Sequence, residues 1–194
     1  MFPEEEGVYL LDKSSRSWVK VRADGPWVPT ADGTYLVYFR NKRCPGCKAF
    51  DRVWNKLIRE RLDEVRANLV LVYCENFFFQ CKDPTASDTF VLFLVNATPQ
   101  VVVIVVREGE MRYVERHIGF MDLDELIEFA NGAPSRMEEA LKEAAEEETE
   151  EEGEALWIQP GNWKEVVEKL KKMIFEGREI REVCDENGCR FIIS

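Results

Sequence analysis

Apolar and polar positions alternate along the chain with two periods, and the switch between them outlines the elements. Val8–Leu11 and Trp18–Val21 are short apolar-rich runs around a polar 12–17 turn, which reads as a hairpin. Thr34–Phe39 is a β-rich run that ends at a polar loop, 40–43. Phe50, Val53, Trp54, Leu57, Ile58, Leu62 and Val65 then recur at spacings of three and four, predicting an amphipathic helix to about Arg66. Leu69–Tyr73 and Gln100–Val106 are continuous apolar runs of the kind that form strands buried on both faces. A helix opening at Pro84 lies between them. The Glu108-Gly109 turn leads into an antiparallel partner, Met111–Ile118. A helix capped near Asp122 is expected to run through Phe129 and stop at Asn131-Gly132. Residues 34–131 therefore read β-α-β-α-β-β-α. The parallel crossover in that order predicts a mixed sheet with helices on both faces.

Beyond Pro134 the character changes. Ser135 and Glu138 have capping-box spacing, which predicts a helix that frays into Glu-rich sequence. Asn162 and Glu165 repeat the spacing ahead of a second amphipathic run, Val166 to Ile174. Glu179–Val183 and Cys189–Ile193 read as a closing hairpin. The expected organisation is an N-terminal hairpin extension (1–29), a main domain (30–134), an acidic helix and linker (135–160), and a C-terminal helix–hairpin extension (161–194).

The net charge of −11 argues against nucleic acid or an anionic membrane as partner. Residues 138–154, with ten Glu and one Lys, carry −9 of it, so the acidity belongs to one segment, read as a solvated helix end and linker. The N-terminus lacks the pattern of a signal peptide, and the longest apolar run is far too short to span a bilayer. A soluble cytoplasmic protein is the expectation. Six cysteines in that setting imply reactive thiols, a metal site, or a hyperthermophilic host whose cytosol sustains disulfides; the Glu and Val richness, with only three Gln, leans to a thermophile.

Cys44-Pro45-Gly46-Cys47 carries the chemistry. It stands where a strand gives way to a helix, whose free N–H groups and positive dipole end favour a thiolate at Cys44. Pro45 suits the first helical turn, and Cys47 lies one turn along, within reach to resolve a mixed disulfide. Arg40, Lys42, Arg43 and Lys48 should favour the anion further. The alternative is half of a zinc site. Its other half could come only from Cys74 and Cys81 or from Cys184 and Cys189, since His117 is the sole histidine.

Over about residues 30–132 the chain resembles the thioredoxin family. The resemblance rests on Tyr35–Phe39 leading to Cys44-Pro45-Gly46-Cys47-Lys48, on Ala97-Thr98-Pro99-Gln100 opening a strand, on the Arg107–Glu110 turn, and on Gly119 before the 122–129 helix. It implies a three-layer thioredoxin-like α/β fold with a cis Pro99 against the active-site cysteines. It also implies Thr98 as the backbone docking point for an extended substrate peptide, Cys44 as nucleophile, and Cys47 as resolving thiol. Disulfide-containing proteins would be the substrates, with a reductase or oxidant as partner and no cofactor. The chain departs from the family in having Arg43 where thioredoxins have Trp, and Tyr38 where they carry a buried Asp that assists proton transfer at the resolving cysteine. Its Pro-first dipeptide is nearer to that of glutaredoxins.

Cys74 and Cys81, seven apart and on the CxxC side of the sheet by that layout, form either a structural disulfide or a second redox pair. Cys184 and Cys189 suit a cross-strand bridge closing a four-residue loop; if Asn187-Gly188 is itself the turn, the bridge fails. Two further readings of the whole chain stay open: a redox-inactive binding module with structural cysteines, and a zinc-binding protein.

Overall fold

A computed structural model describes residues 2–146, 154–158, 161–185 and 187–194. Strands β1 (Gly7–Asp12), β2 (Ser17–Val21), β3 (Gly33–Asn41), β4 (Asn68–Cys74), β5 (Gln100–Arg107) and β6 (Glu110–Ile118) form one sheet in the order β2-β1-β4-β3-β5-β6. Only β3 and β4 are parallel, and the crossover between them is helix α1 (Pro45–Glu60). The N-terminal hairpin joins this sheet, with β1 antiparallel to β4 from Gly7↔Tyr73 to Leu10↔Val70.

The central strands are apolar at consecutive positions because both faces are covered. Leu36, Tyr38, Leu69, Leu71 and Val101 face α1, through Phe50, Trp54 and Leu57, and helix α3 (Leu123–Glu146), through Leu126 and Ala130. Val37, Phe39, Val70, Val72, Val102 and Ile104 face the other way. There they meet helix α2 (Pro84–Leu92) and, beyond it, helix α4 (Trp163–Glu176).

The helix after β6 does not stop at Asn131-Gly132. It continues through Pro134, so the residues expected to open a new helix at Ser135 are its later turns. Proline inside a helix removes one backbone hydrogen bond. The acceptor left over is Ala130 O, four residues back; Arg136 Nη2 donates to the neighbouring Phe129 O at 2.6 Å, and Ala133 and Met137 are buried against Val103 and Val105. Burial of that stripe outweighs the local stop signals. The first half of the Glu-rich run, to Glu146, is the end of α3, and its middle (147–153) lies outside the described residues. Its far end enters β7 (Glu154–Trp157), a strand where linker was expected. Helix α1, by contrast, stops short of the expected Arg66: it ends at Glu60 and is followed by a 3-10 turn, Leu62–Glu64, that still buries Leu62.

β7, β8 (Ile180–Asp185) and β9 (Gly188–Ile193) make a second sheet, order β7-β9-β8. Cys184 stands opposite Cys189 and Asp185 opposite Gly188, so the hairpin closes one pair tighter than a four-residue loop. Leu156, Phe191 and Ile193 enter the same core as α2 and α4. Across this junction Arg116 of β6 pairs with Glu182 of β8, whose carboxylate is buried. Burial raises the Glu182 pKa, against the lowering influence of Arg116.

Asp83 caps α2, accepting from Ala86 N at 2.9 Å, and also meets Lys20 Nζ at 3.1 Å. Asp83→Ala is expected to lower the free energy of unfolding by about 1 kcal/mol, and Asp83→Asn by less, in urea denaturation. Equal losses would assign the effect to Lys20 rather than to the cap.

Candidate active site

β3 delivers Cys44 to the N-cap of α1 at the end of the sheet where the parallel strands terminate. Pro45 occupies the first helical turn, as its missing N–H allows. Cys44 Sγ is half-buried and accepts a hydrogen bond from Cys47 N at 2.9 Å. A sulfur so placed sits at the positive end of the helix dipole. Cys47 is fully buried, on the same helix as the buried Phe50 and Trp54. Neither cysteine is in a disulfide. Burial pushes the Cys47 thiol up to about 12, and its contact with Cys44 adds to the rise; the Asn41 backbone N–H and the Thr98 side chain act in the opposite direction.

The segment before β5 closes the site. The Thr98–Pro99 peptide is cis. Cys44 Sγ lies 3.3 Å from Thr98 O. Gly46 packs so closely on this proline that a Cβ there would stand 3.0 Å from Pro99 Cδ. The sheet order, the α1 crossover and the cis-proline facing two cysteines one turn apart together define the architecture. The fold is thioredoxin-like.

Solved structures include similar chains at low identity. The thioredoxin of Aeropyrum pernix is 19% identical with a TM-score of 0.43, matched over 66% of this chain and 94% of that one. Chloroplastic thioredoxin z is 18% identical with a TM-score of 0.39, over 54% and 80% respectively. No family model matches the sequence, and no curated protein does.

The basic residues around the motif do not act as the sequence suggests. Arg40 is held by Asp51 in a bidentate pair at 2.9–3.1 Å and stacks on Tyr73, and both Lys42 and Arg43 are drawn to Glu75. Two carboxylates, Asp51 and Glu75, thus offset two of the three positive charges of Arg40, Lys42 and Arg43. Lys48 is exposed on α1. Tyr38, which stands where thioredoxins carry a buried Asp, is itself wholly buried; its hydroxyl donates to Asp51 Oδ1 at 3.0 Å and lies 3.2 Å from Cys47 O. Burial raises its pKa far above the usual phenol range, so it is no proton acceptor for Cys47.

Cys74 and Cys81 are joined by a disulfide that closes the loop after β4, and Cys184 and Cys189 by another across the β8–β9 hairpin. Both pairs that could complete a four-cysteine zinc site are thus engaged with each other. Within the 74–81 loop Phe77 and Phe78 pack inward, while Phe79 is largely exposed.

One residue escaped the reading of the sequence. Asn41 ends β3 and is only 2% exposed. Its Nδ2 donates to Thr98 Oγ1 at 3.1 Å, and its Oδ1 accepts from Phe77 N at 2.9 Å. The only signal for it was a short amide in a stretch that otherwise reads as a charged loop.

Proposed function

We propose that the chain is a thiol–disulfide oxidoreductase acting on protein disulfides. The observation that carries this reading is the pairing of a reachable sulfur at a helix N-terminus with a buried thiol one turn behind it. Cys44 Sγ, as thiolate, attacks one sulfur of a substrate disulfide. A Cys44–substrate bond forms and the first substrate thiolate leaves. Cys47 then loses its proton to that thiolate and attacks Cys44 Sγ. The Cys44–Cys47 bond forms and the second substrate thiolate departs. Two electrons have passed from the dithiol to the substrate disulfide, and a dithiol reductant must return them; run backwards, the same steps oxidise a substrate dithiol.

Thr98 is the docking point in this scheme. Its carbonyl faces Cys44, so an extended substrate segment can pair with it while presenting its disulfide to the sulfur. Arg43 and Lys48 flank the approach, and Gly46 keeps the contact with Pro99 close. Cys74–Cys81 and Cys184–Cys189 hold the framework. We place the protein in the cytoplasm of a host that sustains such disulfides. Among the described residues no helix is long and apolar enough to cross a membrane.

The test is a redox titration with alkylation and peptide mapping of each cysteine. Cys44 and Cys47 are expected to change state together, reversibly, as one two-electron couple. Alkylation of Cys44 at every potential would remove the reading.

A further inference from the structure

We propose that the loop closed by the Cys74–Cys81 disulfide is a positioning device for substrate docking: through Asn41 it holds Thr98, and so sets the segment with which an incoming substrate strand pairs. The inference rests on the oxidoreductase reading and on Thr98 as its docking point.

The docking segment needs a hold of its own. Residues 95–99 belong to no helix or strand, so no ladder of backbone hydrogen bonds fixes them. Pro99 O accepts from Gly119 N at 2.8 Å on one side. Thr98 O faces Cys44 Sγ at 3.3 Å, but that sulfur is the atom consumed in the reaction. Asn41 Nδ2, donating to Thr98 Oγ1 at 3.1 Å, is a hold that outlasts it. At 2% exposure Asn41 cannot trade this partner for bulk water.

Asn41 is in turn aimed by the loop. A backbone N–H can only donate, so the amide atom facing Phe77 N at 2.9 Å is Oδ1, and Nδ2 is left for Thr98. Phe77 presents that N–H from φ +51°, a left-handed conformation that a bulky residue keeps only where its surroundings impose it. Those surroundings are the ring that Cys74 and Cys81 close. Within it Asn76 N donates to Gln80 O at 3.2 Å, and Ser87 Oγ of α2 donates to Phe78 O at 2.9 Å. The Phe77 ring stacks on Phe79 and meets Phe90 edge-on. Cys74 O accepts from Lys42 N at 3.0 Å, so the loop begins beside the residue that it aims. A ring this short leaves the chain between its cysteines few conformations. Opened, the chain gains many, and the left-handed turn at Phe77 is no longer imposed.

The experiment uses the full chain with Cys44 and Cys47 reduced and Cys74–Cys81 intact, both states verified by peptide mass. Single-turnover thiol release is followed with two oxidants: a fluorescent peptide disulfide long enough to pair with Thr98, and bis(hydroxyethyl) disulfide, which is too small to. In Cys74→Ala with Cys81→Ala, and separately in Asn41→Ala, the half-saturating peptide concentration is expected to rise about fivefold, the loss of one hydrogen bond, while the maximal rate changes less than about twofold. The rate with the small disulfide should also change less than about twofold. All three substitutions together should give about the same fivefold rise, because they break one chain of contacts. Phe77→Pro keeps the disulfide and removes the N–H; it should match them, and it stands in where the cysteine variant does not fold. Equal slowing with both oxidants, an unmoved half-saturation in the loop variants, or effects that multiply would overturn the role of the loop. A wild type that reacts with the peptide while every variant binds it unchanged overturns this inference alone. One that reacts with neither disulfide overturns the oxidoreductase reading, and this inference with it.

Discussion

Cys47→Ser is expected to arrest the reaction half-way and leave the substrate bonded to Cys44. Cys44 is reachable and can still attack, but the serine hydroxyl that replaces the buried thiol cannot displace a sulfur. Cys47 itself is wholly buried, so no second substrate can take over its part. Turnover should fall by roughly 10³-fold or more, as it does when a member of a catalytic unit is lost. Intact mass should report one adduct per chain that a small thiol reductant releases. Cys44→Ser should be equally inactive and carry no adduct. An adduct on Cys47 in that variant would reverse the assigned roles, and sustained turnover in either would place the chemistry elsewhere.

The second large effect concerns stability. Arg116→Leu should cost about 3 kcal/mol, because it leaves the buried Glu182 carboxylate without its counter-ion. The pH dependence has a definite sign. Burial raises the folded-state pKa of Glu182 above its unfolded value, and Arg116 is what opposes the rise. The carboxyl's contribution is therefore fully present below the unfolded value and lost as pH climbs through the folded one. Removing Arg116 widens that window, so the deficit should be small near pH 4 and grow as the pH rises above it. Converting both residues to Leu should restore most of the stability. Urea midpoints across that range are the measurement. A deficit that ignores pH would show that water reaches Glu182 after all.

The sequence carried the parts of this fold that depend on periodicity. Val101–Val106 and Leu69–Tyr73 read as strands buried on both faces, and they are; a CxxC between a strand and an amphipathic helix has few structural meanings. What escaped it was decided by contacts far apart in the chain. Asn131-Gly132 and Pro134 are genuine local stop signals, yet α3 runs through them because Ala133 and Met137 gain a surface on β5. Lys42 and Arg43 look like an electropositive rim until Glu75, some thirty residues on, draws them both. Asn41 leaves little trace in any pattern: its side chain is held by Thr98 and Phe77, fifty-seven and thirty-six positions away. Tyr38 was legible only as a departure, and burial explains what it cannot do.

The two sheets do not have separate interiors. Val70, Val72, Val102 and Ile104 of the thioredoxin-like sheet are shielded by Phe90 of α2 together with Leu156, Val166, Leu170 and Phe191, all from beyond residue 150. Detaching those later elements would open a valine-rich face to water, at a cost on the order of 25 cal/mol for each Å² uncovered. The helix that leads to the second sheet is already anchored on β5 before it leaves. The appended residues and the sheet that carries Cys44 are therefore expected to melt as one body, with the setting of Cys44 fixed by a scaffold that extends to the last strand.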